Sequence, residues 1–166
     1  SETYDIKGQI YDETKLDGSR SLRDYDITLN TTTTYTQKYP RVAGLANGNF
    51  LVTWASYDSG TTQYKIYGKY VDIGGNVSNL NIGGSSGNNL INSSTDYSVT
   101  YPYPFGISAT DPTIPGGFGV VFMNEYASQD TDNAAVNNDD RYNIQYRLFN
   151  SSATAQISDT DVTDST

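Results

Sequence analysis

Three stretches of this chain are written in one pattern: Tyr4-Asp-Ile-Lys-Gly-Gln-Ile-Tyr-Asp12, Tyr64-Lys-Ile-Tyr-Gly-Lys-Tyr-Val-Asp72 and Tyr142-Asn-Ile-Gln-Tyr-Arg-Leu-Phe-Asn150. Each opens on Tyr, alternates apolar and polar positions, and closes on Asp or Asn, where a turn is expected. A repeated unit buries its apolar face against its neighbours rather than in a private core. The chain therefore reads as a slice of an array.

The period inside the repeat is two. Phe50, Val52 and Trp54 share one face and Leu51 and Thr53 the other, with Phe118, Val120 and Phe122 at the matching positions further on. That is the pattern of half-buried strands, and Asn47-Gly48 before Phe50 is a strong hairpin signal. Fifteen Tyr and fifteen Gly agree with it, since Tyr suits a pleated surface and Gly suits turns. The expected fold is all-β, built of antiparallel four-stranded meanders that resemble propeller blades. In the first full unit the strands are expected at Arg41–Leu45, Asn49–Ser56, Gln63–Asp72 and Val77–Ile82. A partial repeat of two strands and a linker fills residues 1–36, the first repeat 37–99 and the second 100–166. From Ile6 to Ile66 is 60 positions and from Ile66 to Ile144 is 78. Matching Pro40 with Pro104 assigns about four extra residues to the region Asp111–Pro115, and a ten-residue insertion falls in Ala127–Asp140. The partial repeat makes the array incomplete as a single chain.

Composition removes several kinds of chemistry. With neither Cys nor His, disulfides, thiolate zinc sites and His-dependent nucleophilic catalysis are excluded. A formal charge of −9, from nineteen acidic against ten basic residues, argues against nucleic acid, whose phosphates need clustered Lys and Arg. No apolar run approaches the roughly 18 residues of a membrane helix, so no membrane insertion is expected. Glycosidase chemistry needs two carboxyls across a cleft, but the three Glu (Glu2, Glu13, Glu125) sit in no such context. Five Arg, at 20, 23, 41, 141 and 147, are scattered. The expectation is no enzyme. The chain opens at Ser1 without Met or a signal-like segment, as a processed product or a fragment would.

The order Gln37-x-Tyr-Pro40-x-Val-Ala-x-Leu-x-Asn-Gly-Asn-Phe-Leu-Val-Thr-Trp54, an acidic Gly-containing turn, then Tyr64 to Asp72 resembles propeller-like tandem repeats of large secreted and surface proteins. These occur in bacterial adhesins and calcium-repeat giants and in ciliate surface proteins. The resemblance covers most of the chain and is strongest over Gln37–Asp72; the second unit departs from it with Phe122 for Trp54 and Tyr146 for Gly68. It implies an extracellular or cell-surface location and a structural or adhesive role, and brings no catalytic residues with it. Ser56-Tyr-Asp58-Ser-Gly60-Thr-Thr62 is similar to the Asp-box turn of sialidase-type blades, with Gln63 where that box has an aromatic residue. A folding turn is the plain reading of it, glycan-related ancestry the other.

Four groups of residues are candidate sites. Asp130, Asp132, Asp139 and Asp140 lie in one acidic stretch and supply the oxygen ligands calcium prefers, though without the spacing of an EF-hand; a solvated loop is the competing reading. Sequons at Asn30, Asn76, Asn92 and Asn150 fall near expected strand ends, where a glycan could reach solvent. Tyr101, Tyr103 and Phe105, around Pro102 and Pro104, could pack against a neighbouring unit or copy, or stack on sugar rings. Sheet edges left by the incomplete repeat need a cap. The expected partners are thus copies of the chain itself, added head to tail into a filament or surface layer, with a closed lectin-like ring that binds glycans as the alternative.

Overall fold

A computed structural model describes residues 4–11, 26–31, 34–93, 98–125 and 142–161. Its strands are β1 Lys7–Gly8, β2 Ile27–Thr28, β3 Gln37–Gly44, β4 Phe50–Asp58, β5 Gln63–Val71, β6 Val77–Asn79, β7 Ser98–Gly106, β8 Phe118–Glu125, β9 Tyr142–Phe149 and β10 Ala155–Asp161. The protein is all-β. β3 to β6 form one antiparallel four-stranded meander, β7 to β10 a second, and β1 pairs with β2 alone. Among the described residues no helix is long and apolar enough to cross a membrane.

The alternation decides which face meets which neighbour. Leu51, Ala55 and Ile66, on one face of the first meander, are buried in a cluster with Phe118, Val120 and Phe122 of the second. The opposite face gives Trp54 and Val71 to a separate cluster with Ile6, Ile27 and Leu29 of the β1–β2 pair. The first meander is therefore packed on both sides, and equivalent strands turn equivalent faces toward the preceding unit. β7, the first strand of its meander, lies against β3, β4 and β5.

Register corrects the sequence alignment. Each first strand carries an irregularity in its pairing, between Lys38 and Arg41 in β3 and between Thr100 and Tyr103 in β7. Tyr39 and Tyr101 occupy these bulges in left-handed conformation, φ 58° and 51°, each directly before Pro. That conformation costs a non-glycine residue about 1–2 kcal/mol. The two rings stack on one another at 4.2 Å between centroids, and the Tyr101 hydroxyl donates to that of Tyr39 at 3.3 Å. Pro40 thus corresponds to Pro102, not Pro104. The surplus in the second unit is then six residues rather than four, because the connection of residues 107–117 replaces that of residues 45–49. The ten-residue insertion agrees with the pairings Tyr57 with Tyr64 and Glu125 with Tyr142, and the region Ala127–Asp140 itself lies outside the described residues.

The passage from one unit to the next is also repeated. The Leu29 amide donates to the Ile6 carbonyl at 2.9 Å and the Ile91 amide to the Ile66 carbonyl at 2.8 Å. In return, the Ile6 amide donates to the side-chain oxygen of Asn30 at 2.7 Å and the Ile66 amide to that of Asn92 at 2.8 Å. Each Asn clamps the open edge of the third strand before the chain enters the next meander. A buried amide left without its acceptor is costly, which accounts for an Asn following Leu or Ile at both junctions.

Candidate functional site

The candidate residues separate once placed in the fold. Asn30 and Asn92 are buried, 5% and 1% exposed, with their side-chain oxygens committed to the strand edges, so these two sequons are structural clamps rather than glycan acceptors facing solvent. Asn76 is exposed in the β5–β6 turn, where its side chain donates to Asp72 at 2.8 Å. Asn150 is half-buried and accepts from the Ser152 and Thr154 amides at 3.0 and 2.9 Å. Asp72 and Asn150 therefore close equivalent turns, as their shared place in the repeat leads one to expect. Asp130, Asp132, Asp139 and Asp140 lie outside the described residues.

Asp58 shows the turn chemistry in full. Its carboxylate accepts from the Gly60 amide at 2.9 Å and the Thr61 hydroxyl at 3.1 Å, and pairs with Lys65 across the hairpin. Lys65 first, then the Gly60 amide, holds the Asp58 carboxyl below its ordinary 3.8. A lowered folded pKa contributes stability above the unfolded value that is lost as pH falls through the folded one. Asp58→Ala is expected to lower the melting temperature at pH 7, and the difference from wild type should shrink in melts below pH 3.8.

Tyr101, Tyr103 and Phe105 are 39%, 53% and 39% exposed. Part of their surface is already used within the chain. Tyr101 stacks on Tyr39, Arg41 lies 5.1 Å from the Tyr103 ring centre, and Phe105 occupies the space over Gly119. By register, Tyr103 and Phe105 share a face with Val121 and Met123 of β8 and with Ile144 and Tyr146 of β9. This is the face that in the first meander is sealed by the second. Ile66 is 0% exposed and its counterpart Ile144 is 45% exposed. The second meander thus ends in an open apolar face built to the same plan as a buried one.

At the other end, among the described residues, only the β1–β2 pair covers the first meander. β1 corresponds to the third strand of a unit, and the Lys7–Thr28 pair of β1 and β2 matches the Tyr67–Leu90 bridge between β5 and the linker after β6; beside them lies an apolar cleft of about 350 Å³ lined by Ile10, Pro40, Val42, Phe50 and Val52. Phe50 and Val52 are half-buried there, whereas their counterparts Phe118 and Val120 are 1% and 0% exposed.

A second, more polar cleft of about 440 Å³ lies over β4 and β5, between the linker at Asn30 and the segment Gly87–Leu90. Trp54, Tyr67, Lys69, Gln37 and Ser56 line it. Lys69 and Gln37 were not legible as site residues, because each reads as an ordinary polar strand position; only the pairing register shows that both fall on the Trp54 face. Among the described residues no group of His, Cys, Asp and Glu is arranged to hold a metal ion. Comparison with protein-family models, with curated proteins and with solved structures finds no match.

Proposed function

We propose that the protein is an extracellular structural or adhesive repeat protein that assembles head to tail, each copy adding at the open face of the one before. The observation that carries this reading is the contrast between Ile66 and Ile144: one repeat position, sealed in the first meander and open in the second. The next copy offers a matching surface at its N-terminal end, where Phe50 and Val52 are half-buried and Val42 is exposed along the cleft. Meanders stacked face on face, with first strands side by side and in phase, support a likeness to propeller blades. A head-to-tail contact propagates unless its rotation closes a ring.

Sedimentation across a wide concentration range, with negative-stain microscopy, tests the proposal. Wild type should form open-ended oligomers that lengthen with concentration, and Ile144→Lys should abolish them while leaving the melting temperature unchanged, since Ile144 is only half covered in the single copy. A wild-type protein that stays monomeric at all concentrations overturns the reading. Discrete rings of one size favour the lectin-like alternative, which the polar cleft beside Trp54 supports.

A further inference from the structure

The first meander sets two donors, Lys69 and Gln37, on the lining of the polar cleft. Lys69 is 7% exposed and forms no ion pair among the described residues. Gln37 is 3% exposed, and its side-chain nitrogen, also buried, has no acceptor. An amide buried without a partner is unfavourable, and beside an ammonium that has no counter-ion among the described residues it calls for a ligand that brings acceptors and negative charge.

The second meander supplies an internal comparison. Arg147 holds the position equivalent to Lys69, and its guanidinium donates to the Ile91 carbonyl of the preceding linker and lies 5.0 Å from the Phe149 ring centre. Val99, which needs no acceptor, replaces Gln37, and Phe122 replaces Trp54. The second unit thus ties its cation to the preceding linker, whereas among the described residues Lys69 makes no such tie in the first.

The floor of the cleft narrows the class of ligand. Trp54 of β4 and Tyr67 of β5 lie nearly parallel, 22° apart with centroids at 6.5 Å, on the face that also carries Gln37 and Lys69. About 440 Å³ falls within the range of small-molecule sites. Aromatic walls with a few converging donors suit a ring that carries both hydroxyls and a negative charge. We infer that this cleft binds a carboxylate-bearing sugar, a uronic acid residue, with Lys69 and Gln37 donating to its carboxylate and hydroxyl oxygens beside Trp54. The site lies within one copy and does not depend on the assembly reading.

Glucuronate and galacturonate, each set against its neutral parent sugar and against acetate, are the probes, with titration calorimetry and the emission of Trp54 as readouts. The uronates should bind, and Lys69→Met should weaken them by at least about tenfold without lowering the melting temperature, because an unneutralised buried charge is removed. Lys69→Arg should retain part of the affinity, and Gln37→Leu should weaken binding several-fold. Desolvation holds the Lys69 ammonium below its usual 10.5, so affinity should fall as pH rises through that lowered value. Absence of uronate binding at about 10 mM, equal affinity for neutral sugars or for acetate, or undiminished binding by Lys69→Met would each overturn the assignment.

Discussion

Phe118→Ala is expected to destabilise the protein by about 3–5 kcal/mol, a fall of roughly 10 °C in melting temperature for a chain of this size. Phe118 is 1% exposed and packs against Phe149 at 4.7 Å and edge-on to Tyr70 at 6.0 Å between centroids. It thereby joins the two meanders through a single ring. Neither neighbour is able to fill the space it would leave, because each is fixed in its own strand. Phe50→Ala, at the equivalent position of the first unit, should cost about half as much, since that ring borders the open cleft and is only half-buried. Denaturant melts of the two variants at low protein concentration measure the difference. Where copies assemble through the cleft, the gap between them should narrow with increasing concentration.

Gly106→Ala should be nearly as damaging, by about 1–3 kcal/mol, for a reason that owes nothing to hydrophobicity. A Cβ on Gly106 would lie 2.4 Å from the Gly44 carbonyl oxygen and 3.3 Å from the Leu45 Cα. Both obstacles are backbone, so the first strands of the two meanders would have to separate. Gly44 is the equivalent residue one unit earlier, and a Cβ there meets nothing within 4 Å. Gly44→Ala should therefore be neutral or slightly stabilising in an isolated copy, since it restricts the unfolded chain. Thermal melts of the two single variants separate steric crowding from any general intolerance of alanine.

The strands were legible because their alternation is strong and their turns are marked. Asn47-Gly48, Asp72 and Asn150 all close hairpins where the pattern put them, and Phe50, Val52 and Trp54 do share a face. The alignment of Pro40 with Pro104 failed because Pro102 and Pro104 stand two positions apart on one strand, so the alternation fits either, and the longer connection of residues 107–117 hides the offset. Only the register reveals that Tyr39-Pro40 and Tyr101-Pro102 are the matching pair. Asn30 and Asn92 were misread for a related reason. An Asn-x-Ser or Asn-x-Thr triplet looks alike whether the amide faces solvent or clamps a strand edge, and the decision rests with Ile6 and Ile66, distant in sequence. Lys69 carried no signal either, since its isolation depends on what the neighbouring strands do not supply.

The position of Trp54 has an optical consequence. It is the one tryptophan in the chain, 4% exposed, and it belongs to the cluster shared by the β1–β2 pair and the first meander. Every other indole-free contact, including the whole junction between the meanders, is dark at the wavelengths that excite tryptophan alone. Fluorescence from this protein accordingly reports one face of the first meander, where the short N-terminal pair docks and the polar cleft opens, and is blind to the opposite face.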